Sequence, residues 1–450
     1  MNEQTSIPLG CILDCYGNHP AAWLTTDSKA DAATNFASYL AIARKAEVNH
    51  FDFLFVPDSP GMPEGSLDQI SRSPRSVNRL EPLTLLAALA SVTKEIGLIA
   101  TVSTSYSEPY TVARQLASLD HISNGRIGWN VVTTENANAW RNYSDSGQQD
   151  HGKRYARANE YVEVVQKLWD SWDDDAIVFD RAGGRYFDPN KVRPIEHEGD
   201  FFAVKDPLNL ARPPQGHPVI VQAGGSEAGR ELAAKYADVV FTVQPNLESA
   251  QRFTAEIKGR LLKYGRSPAS LKVMVGTTMV VGDNEAHADG KLLELGNLVH
   301  EDAGRAMIER ILEVDLSSVP YDAQIPDEVL PSQSNRNTTY FDALASMIRN
   351  EALTLREVSA RLSASRIGNV FKGSPEAIVD SIQHWVASGA CDGFMLRPTV
   401  FPGSLDEFCD KVLPLMRRRG ISRSADATGT LRDSLGLLRP VRSSPQENLK

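Results

Sequence analysis

Residues 80–133 read LEPLTLLAALASVTKEIGLIATVSTSYSEPYTVARQLASLDHISNGRIGWNVVT and contain one structural pattern twice. An apolar helical pattern at 82–94 leads into the short apolar run IGLIATV at 96–102, and a second at 109–122 leads into RIGWNVV at 126–132. Short apolar runs that alternate with helices are typical of buried parallel strands joined by crossover helices. The stretch therefore predicts an α/β fold.

The same alternation continues on both sides of this stretch. Further apolar runs, which we predict to be strands, lie at 7–13, 51–57, 218–223, 239–242, 272–280 and 393–396. Helical patterns lie between or before them at 35–48, 226–236, 247–264 and 375–388. Eight strands alternating with helices match a (β/α)₈ TIM barrel better than an open doubly wound sheet.

Two connections, 133–217 and 282–390, are too long for plain crossovers and read as loop insertions, which commonly form lids or pockets. The first contains an amphipathic helix at 153–172 and then a stretch that could hold a short hairpin. The second reads as helices at 286–314 and 337–363, joined by the polar segment 317–336. The tail at 421–450 is polar, but TLRDSLGLL at 430–438 is amphipathic enough to dock on a neighbour.

Composition excludes several classes of protein. The 450 residues carry 47 basic and 57 acidic side chains, a formal net charge of −10, which argues against a nucleic-acid partner. No apolar run reaches the roughly 18 residues of a membrane span, and the amino terminus lacks the pattern of a signal peptide. The four cysteines are too scattered for a disulfide framework, so we expect reduced thiols in a cytoplasmic protein.

The segment GGSEAG at 224–229 ends a predicted strand and opens a predicted helix. Unpaired amides and the helix dipole favour an anion there, which outlines a phosphate site. Equally, the segment could be a tight turn with Ser226 as the N-cap and Glu227 complementing the dipole. It matches neither GxGxxG nor a Walker loop, so it does not indicate a dinucleotide or ATP.

Polar residues also follow other predicted strands, on the face where barrel enzymes do their chemistry. Asp58 follows the second strand, Thr101 ends the third and Asn130 lies near the end of the fourth. These side chains could bond a heterocycle, or they could form turns and satisfy loop backbone. His151 and Tyr155 are four apart on one helix and therefore share a face. Motifs for zinc, a metalloprotease or a nucleophile elbow are missing, so we predict no metal site.

Taken together, three stretches closely resemble one family. They are residues 80–133, RYARANEYVEVVQKLWDSWDDDA at 154–176, and FAVKDPLNLARPPQGHPVIVQAGGSEAGRELAAKYADVVFT at 202–242, and TLRDSLGLLRP near the end is similar as well. The family is the nitrilotriacetate monooxygenase and dibenzothiophene-sulfone monooxygenase group of the bacterial luciferase-like flavin monooxygenases. The resemblance implies a TIM barrel of the bacterial luciferase type, with a single domain at 1–420 and a tail at 421–450.

In that family FMN binds at the carboxyl mouth of the barrel. The resemblance implies that Tyr155, Gly225 and Ser226 hold its phosphate, that Asp58, Thr101 and Asn130 line the flavin ring or ribityl chain, and that His151 is a further cofactor-binding position. Relatives often carry Ser or Ala at position 225, so the glycine leaves only a backbone amide there. The segment 366–376 also departs from the more usual histidine-containing form.

The implied chemistry is that of a two-component monooxygenase. A separate NAD(P)H-dependent flavin reductase supplies reduced FMN (FMNH₂), which reacts with O₂ in the barrel, and a small organic substrate is oxygenated or cleaved at a C–N or C–S centre. On the substrate side we expect Cys15, Phe55 and Phe241, with His19 as the candidate for proton transfer. The alternatives are a flavin-binding protein without turnover and a deazaflavin-dependent oxidoreductase. A homodimer or homotetramer is the expected assembly.

Overall fold

A computed structural model describes residues 6–134, 136, 138–143, 147, 149–331, 338–365, 367–423 and 429–442. Its strands are β1 (Leu9–Ile12), β2 (Phe53–Val56), β3 (Gly97–Ser103), β4 (Ile127–Val132), β5 (Ile177–Asp180), β6 (Arg185–Phe187), β7 (His197–Glu198), β8 (Ala203–Val204), β9 (Val219–Gln222), β10 (Val239–Thr242), β11 (Lys272–Val281), β12 (Val370–Gly373) and β13 (Gly393–Leu396). Eight of them close into a parallel barrel in the order β1-β2-β3-β4-β9-β10-β11-β13 and back to β1. The barrel prediction is confirmed, and all eight predicted strands form its wall.

The helices are α1 (Phe36–Val48), α2 (Leu67–Ser71), α3 (Pro82–Val92), α4 (Pro109–Ser123), α5 (His151–Trp169), α6 (Glu227–Tyr236), α7 (Leu247–Leu261), α8 (Glu285–Asn297), α9 (Glu301–Leu312), α10 (Thr338–Glu351), α11 (Leu355–Ser365), α12 (Pro375–Ala387), α13 (Gly403–Glu407), α14 (Leu413–Arg418) and α15 (Leu431–Ser434). A π-helical turn at Phe408–Val412 joins α13 to α14. None of the helices among the described residues combines the length and apolarity that crossing a bilayer requires.

Side chains along each barrel strand alternate between two cores. In β2, Phe53 and Phe55 belong to the cluster inside the barrel, whereas Leu54 and Val56 belong to the cluster between barrel and helices. In β3, Ile99 is in the inner cluster. Because a strand repeats every two residues, Thr101 lies on the inner face as well. The alternation therefore carries chosen polar side chains to the inside of the barrel near its carboxyl end.

The first insertion follows the prediction closely. The predicted helix at 153–172 is α5, which begins two residues earlier because Asp150 caps it by accepting from the Lys153 amide at 2.8 Å. The predicted hairpin is β5 paired with β6, and β7 and β8 form a second small antiparallel pair.

The second insertion contains more helices than the sequence predicts. The stretch 286–314, predicted as one helix, is divided into α8 and α9, because the His300 side chain caps a new helix by accepting from the Asp302 amide. The stretch 337–363 is divided into α10 and α11 at Ala352, whose φ of +47° ends the first helix. Residues 332–337 lie outside the described residues. Helices α9, α10 and α11 share a core of their own, formed by Ile308, Leu312, Leu344, Ile348, Leu355 and Val358.

The segment at 430–438 docks on the amino-terminal end of its own barrel. Thr430 caps the short helix α15, and Leu431, Leu435 and Leu437 join the cluster inside the barrel. Arg432 forms a two-point ion pair with Asp238, with Nη2 and Oδ2 2.7 Å apart, and donates from Nε to the His217 carbonyl at 2.9 Å. The segment thus closes the floor of the barrel, opposite the mouth.

We expect Arg432→Ala to lower the free energy of unfolding by about 2 kcal/mol. The Arg432 side chain is buried, and its removal leaves the Asp238 carboxylate without its cation. The loss stays below that of a fully buried pair because Asp238 keeps its hydrogen bond from the Ile220 amide. Urea denaturation of the purified chain measures the effect. The exposed pair of Arg439 and Asp174 is the control, and Arg439→Ala should cost less than about 1 kcal/mol. Equal losses in the two variants would contradict a stabilising role of the buried pair of Arg432 and Asp238.

Candidate active site

The mouth of the barrel holds a cavity of about 210 Å³. Its inner wall includes Ile12 of β1, Phe55 of β2 and Phe241 of β10, and the two phenylalanine rings lie with their centroids 5.8 Å apart. Asp58 follows β2 and stands exposed at the rim. The carboxyl ends of the barrel strands therefore enclose an apolar, aromatic space with a polar rim, the arrangement on which barrel enzymes build active sites.

Thr101 and Asn130 are joined on neighbouring strands of the inner face. The Thr101 hydroxyl donates to the Val56 carbonyl at 2.8 Å, so it must accept from the Asn130 side-chain amide, 3.0 Å away. This bond fixes which end of the Asn130 amide faces Thr101. Its carbonyl oxygen, Oδ1, is buried and has no hydrogen-bond partner among the described residues. A buried acceptor without a donor is costly, so this oxygen is suited to a donor on a bound ligand.

The segment 224–229 forms the start of α6, with Ser226 as its N-cap. The Ser226 hydroxyl accepts from the Gly229 amide at 3.2 Å, which confirms the cap. The same hydroxyl donates to the Tyr155 oxygen at 3.4 Å, so the phenol proton of Tyr155 stays available. A Cβ atom on Gly225 would meet nothing within 4 Å, so the turn has open space beside it. Free amides, a hydroxyl donor and open space together make this helix start suitable for an anion.

His151 and Tyr155 share one face of α5, as their spacing predicts. Their rings lie with centroids 4.7 Å apart, and the His151 side chain is exposed. The two rings are tilted by 45° to each other, so His151 packs beside the ring of Tyr155. Four of the seven predicted cofactor-binding residues, His151, Tyr155, Gly225 and Ser226, therefore lie around one helix start.

His19 and Cys15 do not line the cavity. The His19 ring accepts from the Ala21 amide through Nδ1 at 3.2 Å, and burial lowers its pKa to about 4. The ring is therefore neutral at pH 7, with its proton on Nε2, and that nitrogen has no partner among the described residues. The Cys15 thiol lies in the outer core and donates to Asp14 at 3.5 Å, and burial raises its pKa to about 12. Their roles in proton transfer and substrate contact stay predictions.

The buried neutral state of His19 predicts how stability depends on pH. An unfolded chain protonates this histidine below its ordinary pKa of 6.5, whereas the folded chain resists protonation down to about 4. Stability from this group is therefore present above pH 6.5 and is lost as the pH falls, by about 2 kcal/mol between pH 7 and pH 5. The variant His19→Asn keeps an acceptor near the position of Nδ1. Its free energy of unfolding should depend less steeply on pH over this range, and an unchanged slope would contradict the assignment.

Several residues at the cavity were not predicted from the sequence. The charged ones are Asp14, Arg75, Arg79 and Arg397. Asp14 and Arg397 come directly after or near the ends of β1 and β13, so the rule that selected Asp58 could have found both. Arg75 and Arg79 lie in the long loop between β2 and α3, where no local pattern indicates which side chains turn inwards.

The segment 366–376 reaches the cavity through its neighbours. Arg366 lies outside the described residues. The Asn369 amide donates to the Gln244 carbonyl at 2.9 Å, and Arg397 donates to the Ser365 carbonyl at 2.9 Å. Within the segment, β12 extends the sheet beside β11. Any catalytic role of this loop stays a prediction.

Among the described residues, no group of three or more His, Cys, Asp or Glu side chains could hold a metal ion.

Comparison with known proteins agrees with this architecture. The family model described as luciferase-like monooxygenase matches residues 17–391. Nitrilotriacetate monooxygenase component A of Aminobacter aminovorans is 42% identical, over 98% of this chain and 99% of its own length. Dibenzothiophene-sulfone monooxygenase of Rhodococcus erythropolis is 38% identical, over 93% of each chain. The crystal structure of DmoA from Hyphomicrobium sulfonivorans superimposes with a TM-score of 0.86 at 30% identity, covering 96% of this chain and 92% of that one. The chain belongs to the luciferase-like monooxygenase family.

Proposed function

We propose that this chain is the oxygenase of a two-component system. It binds FMNH₂ and uses O₂ to oxygenate or cleave a small organic substrate at a C–N or C–S centre. The observation that carries the proposal is the combination, at one barrel mouth, of an aromatic cavity with a helix start that is suited to an anion and is formed by Tyr155, Gly225 and Ser226. A flavin with a phosphorylated side chain needs both parts.

The side chains present fit such a cofactor. The unpaired Asn130 oxygen offers an acceptor to a ring N–H, and Phe55 and Phe241 offer apolar surface to a flat ring. The free amides at the start of α6 and the Tyr155 hydroxyl suit a phosphate. In this proposal Thr101 positions Asn130, while Asp58 at the rim and His151 beside Tyr155 complete the cofactor site.

Reduced FMN, when bound, supplies the two electrons that activate O₂, so that one oxygen atom enters the substrate and the other leaves as water. The chain itself has to bind and orient the ring and keep water away from it. Ile12, Phe55 and Phe241 provide apolar walls for that purpose. The second insertion approaches the mouth where α9 packs against α2, which lies in the loop after Asp58. This contact supports a role of the insertion as a cover.

The names of the relatives support the remaining parts of the proposal. One relative is called component A, which is in line with a separate flavin reductase as the partner of this chain. Nitrilotriacetate contains C–N bonds, and dibenzothiophene sulfone contains C–S bonds. These two compounds are therefore the first substrates to try.

The test is an anaerobic titration of the purified chain with FMNH₂ and with FMN, followed by admission of O₂ while the flavin spectrum is recorded. We expect tight binding of FMNH₂ and a spectral course that differs from that of free FMNH₂. Turnover is then measured with a flavin reductase, NADH and ¹⁸O₂, and one ¹⁸O atom in the product is expected. Failure to bind either redox state would overturn the cofactor assignment. Binding of a deazaflavin in place of FMN would also overturn the cofactor assignment. Binding of FMN without an altered reaction with O₂ would indicate a flavin-binding protein without turnover.

A further inference from the structure

The hairpin of β5 and β6 exposes a cluster of apolar side chains. All residues from 177 to 187 are exposed. Five of them are large and apolar and keep between 38% and 61% of their surface open to solvent, namely Ile177, Val178, Phe179, Tyr186 and Phe187. Single exposed apolar side chains are normal on a protein surface, whereas a cluster of them marks a place where another molecule binds.

The hairpin is a preformed surface, because both its base and its tip are fixed. At the base, the Asp188 amide donates to the Ala176 carbonyl at 2.8 Å, and the rings of Phe187 and Trp172 lie with centroids 5.2 Å apart. At the tip, Oδ1 of Asp180 accepts from two backbone amides of the turn, at 3.0 and 2.9 Å. A two-stranded hairpin is only marginally stable in water without further cover. A partner that covers this one therefore stabilises it at little cost in ordering.

A bulge brings the two most exposed rings of the hairpin together. The register between β5 and β6 shifts, so two residues of β5 stand opposite Tyr186. One of them, Phe179, has a φ of +48°, and its ring meets the Tyr186 ring edge-on with centroids 6.0 Å apart. The outer edge of each strand pairs with no other strand in the described part of the chain. The hairpin thus offers an aromatic surface together with free backbone donors and acceptors.

The charges of the hairpin are balanced. Residues 177–188 contain two acidic side chains, Asp180 and Asp188, and two basic ones, Arg181 and Arg185, whereas the whole chain has a formal net charge of −10. A partner of opposite charge is normally matched by a patch of one sign. A second copy of the same surface meets no net repulsion here, and each acidic side chain can face a basic one of the other copy. The charge pattern therefore favours self-association.

The exposed apolar surface is large enough for a specific contact. With about 150–250 Å² for a whole aromatic side chain, the exposed fractions of the five side chains amount to roughly 450 Å² on one copy. Two such surfaces packed together bury about 900 Å², and the polar side chains of the tip bring the total to about the 1,000 Å² at which specific interfaces begin.

We propose that a second copy of this chain docks on the hairpin, with the two hairpins packed against each other about a two-fold axis. The same residues then serve on both sides of the contact, with Phe179 and Tyr186 at its centre and the charged side chains around them. The contact lies far from the barrel mouth. Helix α5 begins beside the proposed phosphate site, and its 19 residues span about 28 Å before the chain enters the hairpin. Both mouths therefore stay open in the pair.

The first test is sedimentation velocity of the full chain over a series of concentrations. We expect the unchanged chain to associate, and the double variant Phe179→Asp with Tyr186→Thr to lower the association constant at least about 30-fold, because it removes both central rings. Asp tolerates positive φ and Thr suits a strand, so the circular dichroism spectrum should stay unchanged. Leu293→Asp is the matched control. That side chain, on α8, is 60% exposed, and its substitution should change the association constant less than about 2-fold.

The second test locates the contact by crosslinking. All four cysteines of the chain are buried, so Tyr186→Cys introduces an accessible thiol at the centre of the proposed contact. We expect a short bis-maleimide to link this variant into covalent dimers in high yield. Leu293→Cys, at the same protein concentration, should give few.

A tetramer that falls to a dimer in the double variant supports the proposal as fully as a dimer that falls to a monomer, because the proposal concerns this contact. Three results would overturn it: a monomer at about 100 µM of the unchanged chain, an assembly that the double variant leaves intact, or equal crosslinking at positions 186 and 293. A purified flavin reductase that binds the unchanged chain but not the double variant would give the hairpin to another protein, and would overturn it as well.

Discussion

Ser226→Asp is expected to weaken FMN binding about 1000-fold. The Ser226 hydroxyl caps α6 and contacts Tyr155 beside the open space at Gly225, where the cofactor phosphate is proposed to bind. A carboxylate there places a negative charge against the phosphate. At an effective dielectric constant of about 20 and a separation of about 4 Å, one pair of like charges repels by about 4 kcal/mol, which corresponds to this loss. Fluorescence titration of FMN measures it.

The substitution separates binding from folding, because Asp is as good an N-cap as Ser. The Gly229 amide should keep its acceptor, and the free energy of unfolding of the apoprotein should change by less than about 1 kcal/mol. Riboflavin, which lacks the phosphate, is the matched ligand, and its affinity should fall far less than that of FMN. Equal losses for FMN and riboflavin would move the phosphate away from α6.

The barrel could be predicted from the sequence because its strands are buried on both faces. A strand such as β3 therefore appears as an uninterrupted apolar run, bounded by helices with recognisable caps. The insertion was harder to predict. Two of its helices, α9 and α10, end at Glu313 and Ala352, where φ is +59° and +47°. Glu and Ala rarely adopt positive φ, so the residue types did not predict a left-handed turn there. Only the packing of that insertion core determines where each helix stops.

Some residues of the site could likewise be predicted from the sequence, and others could not. Residues fixed by strand position, such as Thr101 and Asn130, could be placed because the carboxyl ends of all barrel strands meet at one mouth. The positions of the side chains in the loop after β1 could not be predicted. It bends at Gly17, where φ is +122° and a Cβ would clash with the Thr399 carbonyl, so Cys15 packs into the outer core. Arg75 could not be predicted either, because it lies in the long loop between β2 and α3, where no local pattern indicates which side chains turn inwards.

Asn130→Leu is expected to weaken binding of FMN and of riboflavin by about 100-fold each. The substitution removes the acceptor that the unpaired Oδ1 offers to a ring N–H, and it leaves that donor buried against a methyl group. Loss of one hydrogen bond together with burial of an unsatisfied group is worth about 3 kcal/mol. Leucine has nearly the shape of asparagine, and Thr101 keeps its bond to the Val56 carbonyl. The apoprotein should therefore stay folded, with an unfolding free energy within about 1 kcal/mol of the original.

The two variants together locate the cofactor along its length. Because riboflavin shares the ring of FMN but not the phosphate, Asn130→Leu should affect both ligands equally, whereas Ser226→Asp should discriminate between them. Sites that do not contact each other contribute additively, so the double variant should show the sum of the two free-energy losses for FMN. If Asn130→Leu reduced only FMN binding, Asn130 would face the phosphate end, and the ring would have to lie elsewhere in the barrel mouth.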